Sequence, residues 1–119
     1  MKEVQKIPRI VQIRKSNTVQ LGTSDTTVYT VTSNRVFYLE ALIITETRSG
    51  VHPTINIYDG PSSSGVRPIA PIQFDDASST NKTLTIGVDV LRGTPQFKHS
   101  VVATTTTSGT WITVIGYEE

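Results

Sequence analysis

The sequence predicts an all-β fold: an antiparallel β-sandwich, jelly-roll-like, of about eight strands, with an extended N-terminal arm. Short β-branched and aromatic runs recur roughly every eight to twelve residues, punctuated by Gly, Pro, Asn, Asp and Ser. Threonine and serine fill much of the space left by an apolar share of 36%, and threonine suits a strand with a wet face. No segment carries a clean helical stripe. Among all-β architectures, the jelly roll fits the long middle connections best.

The elements follow in chain order. Residues 1–15 form a basic arm in which Lys2, Lys6, Arg9, Arg14 and Lys15 face only Glu3. Residues 16–119 form a single sandwich domain, a size at which one core is feasible. Ile10–Ile13 and Val19–Leu21 read as two weak strands separated by Ser16 and Asn17. The run TVYTVT from Thr27 is a stronger strand, and Ser33-Asn34 a turn. Val36–Thr45 is the most apolar stretch. Its Leu39-Glu40-Ala41-Leu42 core could propagate a helix, but it ends in Ile43, Ile44 and Thr45, which favours a strand. Phe37, Leu39, Ala41 and Ile43 would then share one face.

TINIY (Thr54–Tyr58) alternates, with Ile55 and Ile57 on one side, and Asp59-Gly60-Pro61 turns the chain. RPIAPIQF contains Pro68 and Pro71, which cannot donate ladder hydrogen bonds, so it belongs at an edge. After the polar loop Asp75–Asn81, Lys82–Leu91 alternates most cleanly, with Leu84, Ile86, Val88 and Val90 on one face. Arg92–Pro95 turns, Ser100–Thr104 is a strand, Ser108-Gly109 is a hairpin-like turn, and Thr110–Tyr117 closes the domain.

Composition narrows the function classes. The net charge of +1 is too small to imply nucleic-acid binding by the whole chain, and no specific nucleic acid is expected as a partner. The absence of cysteine excludes disulfides, thiolate catalysis and Cys-based zinc sites. No apolar run approaches the roughly 18 residues of a membrane span, and the charged start has no apolar signal region. No membrane contact and synthesis in a cytoplasm are therefore expected.

Catalytic constellations are equally sparse. His52 and His99 lie apart in loop contexts and do not make a metal-ligand pattern. Asp75 and Asp76 are neighbours on one Ser-rich loop and lack the spacing of a calcium loop. Asp59 and Gly60 form a turn, and the serines that follow have no adjacent base. No phosphate loop or dinucleotide fingerprint is present. The expectation is a non-enzyme with no cofactor and no metal. Trp111 and the tyrosines could offer a stacking platform for a sugar or base. A lone Trp in an alternating final strand is more commonly core, and that is the expectation for Trp111.

The segments TVYTV, FYLEALIIT, INIYDGPSSSG, RPIAPIQF and SGTWITVIGYEE, in this order, resemble small β-sandwich virion proteins of tailed bacteriophages. The matching positions include Tyr58, Asp59 and Gly60, then Gly116, Tyr117, Glu118 and Glu119, within a stretch running from near Val28 to Glu119. The arm lies outside the likeness. The resemblance implies a non-enzymatic structural protein of a virion, made in the host cytoplasm. Its expected role is capsid decoration (cement), binding and stabilising the head surface. The alternative is a tail-tip or fibre module that binds a receptor or carbohydrate. The implied partners are a major capsid or appendage protein and further copies of the chain, with a trimer suited to threefold positions. The candidate contact residues are Lys2, Lys6, Arg9, Arg14 and Lys15 on the arm, and Asp59, Gly60, Asp75 and Asp76 in exposed loops.

Overall fold

The computed structural model describes residues 12–48, 50–73, 82–87 and 93–119, with 82–86 described by backbone alone. These residues form nine strands and no helix: β1 (Ile13–Gln20), β2 (Thr26–Thr30), β3 (Phe37–Glu46), β4 (Thr54–Asp59), β5 (Ile72–Gln73), β6 (Lys82–Ile86), β7 (Gln96–Phe97), β8 (Ser100–Thr105) and β9 (Trp111–Glu118). One sheet has the order β1-β9-β3-β6, with β7 also on β3; the other has the order β2-β8-β4-β5. All pairings among these strands are antiparallel.

The pairs are nested. β1 joins β9, β2 joins β8, β3 joins β6 and β4 joins β5. With the two-residue β7 set aside, the chain is one long hairpin rolled across two sheets, which is the jelly-roll plan. The all-β sandwich expected from strand spacing is therefore the fold.

The core lies between the sheets. Phe37, Leu39, Leu42, Ile44, Ile112 and Val114 enter it from the first sheet; Val28, Ile55, Ile57, Val101 and Ala103 enter from the second. Alternation in β4 and β9 delivers these residues directly, because successive side chains of a strand point to opposite faces. At one end, the Phe37 ring lies 4.7 Å from Tyr29 and 6.3 Å from Phe97, both tilted, within the range of favourable aromatic pairs.

Several local expectations need correcting. Ser16 and Asn17 do not interrupt the chain: β1 is continuous from Ile13 to Gln20. It stays paired because β9 supplies a partner for every residue along it. Arg14 and Lys15 are therefore strand residues and not part of an arm. In β3, the register shifts between Leu39 and Ala41. That bulge reverses the phase, so Phe37 and Leu39 are followed inward by Leu42, Ile44 and Glu46. Ala41 and Ile43 face outward instead of sharing the Phe37 face. The Ser108-Gly109 turn is not a hairpin, because β8 and β9 belong to different sheets and the chain crosses the sandwich there.

Other features agree with the expectation. Ser33-Asn34 is a turn in which Asn34 has φ 65°, a conformation asparagine tolerates. The proline-interrupted segment contributes only the edge strand β5. β6 pairs with β3 from Lys82 to Ile86; Val88 and Val90 lie outside the described residues, as do Lys2, Lys6, Arg9, Asp75 and Asp76.

Candidate interaction surface

Strict alternation in β9 sends Ile112 and Val114 inward and Trp111, Thr113, Ile115 and Tyr117 outward. The register of the first sheet arranges the outward residues in four rungs across β1, β9 and β3. These are Gln20–Trp111–Thr45, Thr18–Thr113–Ile43, Ser16–Ile115–Ala41 and Arg14–Tyr117–Tyr38. Gln96 of β7 extends the last rung beyond Tyr38.

The rungs are tied laterally. The Thr18 and Thr113 hydroxyls share a 2.7 Å hydrogen bond. Tyr38 and Tyr117 stack with centroids 5.1 Å apart and planes at 14°, and the Arg14 guanidinium lies 6.0 Å from the Tyr117 centroid. Arg14 also pairs with Glu40. Within β1, β9 and β3, Arg14 and Glu40 are the outward charged side chains, and they neutralise each other. The result is a sheet face of low charge, rich in threonine, isoleucine and aromatic groups.

Trp111 belongs to this face and is 42% exposed. The expectation of a core position is thus corrected. The signal was already in the alternation of TWITVIGYEE, in which Trp111 is out of phase with Ile112 and Val114.

The other sheet presents a different exterior. Tyr58 and Val102, opposite each other in register, lie on its outer side yet are buried. The Arg67 guanidinium sits 5.0 Å from the Tyr58 centroid and donates to the Tyr58 hydroxyl at 3.0 Å. The segment after β4 thus folds back over its own sheet, whereas no described segment comparably covers the β9 face.

The loop residues Asp59 and Gly60 are held tightly. The Asp59 carboxylate accepts backbone N–H groups from Lys98 at 2.9 Å, His99 at 2.8 Å and Ser100 at 3.3 Å. It closes the turn between β7 and β8. Gly60 is buried with φ 156°, and its N–H donates to the Ser100 carbonyl at 3.2 Å. A Cβ at Gly65 would meet the Asp59 backbone, with the carbonyl carbon at 2.9 Å. The YDG motif therefore packs backbone against backbone, and its carboxylate is directed at its own chain.

Two inward carboxylates had no counterpart in the sequence reading. Glu46, at the end of β3, is 0% exposed. It accepts the Thr47 N–H at 3.0 Å, two Arg48 guanidinium contacts at 3.2 and 2.6 Å, and the Thr110 hydroxyl at 3.4 Å. Burial pushes its pKa up, but the Arg48 hydrogen bonds and charge, with the Arg48 and Thr47 N–H groups, outweigh burial and hold it below the ordinary value. Glu118, at the other end of the sheet, accepts the Tyr29 hydroxyl and the Thr32 N–H, the latter at 2.9 Å. Burial again acts upward; the Tyr29 and Thr32 hydrogen bonds and the Lys15 charge bring the net shift downward. Burial, followed by Glu118, pushes the Tyr29 phenol above its usual range. Alternation places Glu118 in phase with Ile112 and Val114, so this position was legible. Glu46 became inward only through the β3 bulge.

Among the described residues, no cluster of His, Asp or Glu has the arrangement of a metal site, and no helix is long and apolar enough to cross a membrane. No family model and no curated protein matches the chain. Among solved structures, it is similar to a chain from Bacillus endospore appendages, described as a novel family of disulfide-linked pili. The TM-score is 0.48, with 14% identity over 98% of this chain and 97% of that one. The present chain has no cysteine.

Proposed function

We propose that the protein is a non-enzymatic structural subunit that works by binding other protein subunits. The observation that carries this reading is the outer face of the first sheet. Interfaces are enriched in Trp, Tyr and Arg and depleted of unpaired charge at their centre. Trp111 at one end and Arg14, Tyr117 and Tyr38 at the other share one face, and the single ion pair there is internally closed. A rigid sandwich whose inward carboxylates serve Arg48, Tyr29 and backbone N–H groups supplies the scaffold.

Within that reading, the finer proposal follows the likeness to phage virion proteins: a decoration protein on a head surface. Its partners would be a major capsid or appendage protein and further copies of itself, for which the sequence suggested a trimer. The basic residues Lys2, Lys6 and Arg9 remain candidates for the contact to an acidic neighbour, whereas Arg14 is already paired with Glu40. The alternative is a carbohydrate- or receptor-binding tail module, supported by the exposure of Trp111.

The test is immunogold electron microscopy on particles from the source, using an antibody to this chain. Gold on the surface of an assembled particle is the expected result. Recovery of the protein wholly as a free soluble species, with no particle labelled, would overturn the proposal. A version lacking residues 1–11 leaves β1 whole. It should keep the thermal stability of the full chain and lose affinity for the particle.

A further inference from the structure

We infer that the outer face of β1, β9 and β3 docks against the same face of a second copy, with Trp111 as the anchor. This deepens the assembly reading and rests on it, with a twofold pair in place of the trimer, because an isologous contact closes on two copies.

The argument begins with charge. An acidic or basic partner would need an uncompensated opposite charge on this face, but Arg14 and Glu40 already bond to each other. The rest of the rungs are threonine, serine, glutamine, alanine, isoleucine and aromatic residues. A neutral surface meets a copy of itself with no electrostatic penalty, which is a precondition for an isologous contact.

Geometry adds complementarity. A twofold axis lying in the interface, perpendicular to the strands, runs the two β9 strands antiparallel. It brings the Trp111 end of one copy over the Tyr117 end of the other. Trp111 and Tyr117 are six residues apart along β9, or roughly 20 Å. The exposed indole then meets the rung Arg14–Tyr117–Tyr38, which offers both a cation and aromatic edges. Thr113 and Ile115 lie between the two ends, one on each side of the axis, so that Thr113 of each copy meets Ile115 of the other.

Size sets the strength. Three strands about 4.8 Å apart and about 27 Å long give a face of roughly 400 Å² in projection. A standard interface buries about 800 Å² per partner. The sheet face alone is about half of that, so the association is weak and reversible, at roughly micromolar concentration or above. A saccharide is less suited, because Tyr38 and Tyr117 cover one another's ring faces and Arg14 lies over Tyr117.

Trp111 is the chain's one tryptophan, so intrinsic fluorescence reports this face alone. The full chain is diluted from high to low micromolar concentration, with emission followed in parallel with sedimentation velocity. The emission maximum should move to longer wavelength as the dimer dissociates, with the two transitions coinciding. Ile115→Lys puts like charges near the axis. It should weaken self-association at least about tenfold, with Trp emission at long wavelength throughout and an unchanged thermal midpoint. Thr113→Lys is the second variant, should Ile115→Lys disturb folding. An oligomer that dissociates with no change in emission, or that survives both substitutions, would overturn this interface and leave the assembly reading standing. A monomer at every concentration would also overturn it. So would a monomer whose emission shifts on adding a chito- or cello-oligosaccharide, which would assign the face to glycans.

Discussion

Replacing Gly116 by alanine should destabilise the sandwich, although the same change in an ordinary strand position is usually favourable. Gly116 is buried in the middle strand of the first sheet, opposite Leu39 and next to the β3 bulge. A Cβ there would lie 2.8 and 3.0 Å from two carbons of the Phe37 ring, and closer still to the Tyr38 carbonyl oxygen. Ordinary contact begins near 3.4 Å, so the ring alone must retreat by about 0.6 Å. Phe37 is fully buried against Tyr29 and Phe97, which leaves it little room. Overpacking costs about 1–3 kcal/mol. Displacing the Tyr38 carbonyl strains the β3–β9 ladder by about 1 kcal/mol more. Against this, Gly→Ala stabilises by about 0.4–1 kcal/mol through the unfolded chain. The net loss is about 2–3 kcal/mol, or a fall of roughly 10 °C in Tm for a domain of this size. Circular dichroism melts of Gly116→Ala and of Gly87→Ala provide the assay. Gly87 has no atom within 4 Å of the equivalent position, and its variant should stay within about 0.5 kcal/mol of the parent. A Gly116→Ala protein as stable as the parent would refute the close approach.

Three further outcomes follow from the same geometry. Leu42→Ala should cost about 2–5 kcal/mol and Ile43→Ala clearly less, measured by urea unfolding; the reverse order would deny the phase change at the β3 bulge. Asp59→Ala removes the acceptor for three backbone N–H groups and should cost about 2 kcal/mol by the same measurement; a loss below about 0.5 kcal/mol would mean the turn holds without it. Glu46 and Glu118 have folded pKa values below the ordinary one. Their contribution is therefore fully present above the unfolded value of about 4.3 and is lost as pH falls through the folded values. Glu118→Gln should lower Tm at neutral pH and flatten its decline in acid. An acid limb of unchanged slope would remove Glu118 from that role.

How far the sequence reached depended on the range of the signal. Strand number, the edge position of the proline segment and the inward Ile55 and Ile57 all come from local period and turn chemistry, which a single sequence carries. The nested pairing was foreseen only as a class, because nothing local says that β1 will find β9. The β3 bulge was invisible: Leu39–Ile43 keeps an apolar residue on either phase, so the pattern tolerates both. β7 is too short to show a period. Turn chemistry alone makes Asp59 a surface residue, whereas its carboxylate is committed to a segment some 40 positions away. Residue type alone points Trp111 to the core, whereas the alternation of its own strand places it outside.

The most direct test of assembly through contacts between copies is the particle mass of the full chain by light scattering, at several concentrations in native buffer. The reading predicts a species at a multiple of the 13.0 kDa chain mass that dissociates on dilution. A single 13.0 kDa species at every concentration would contradict assembly through contacts between copies.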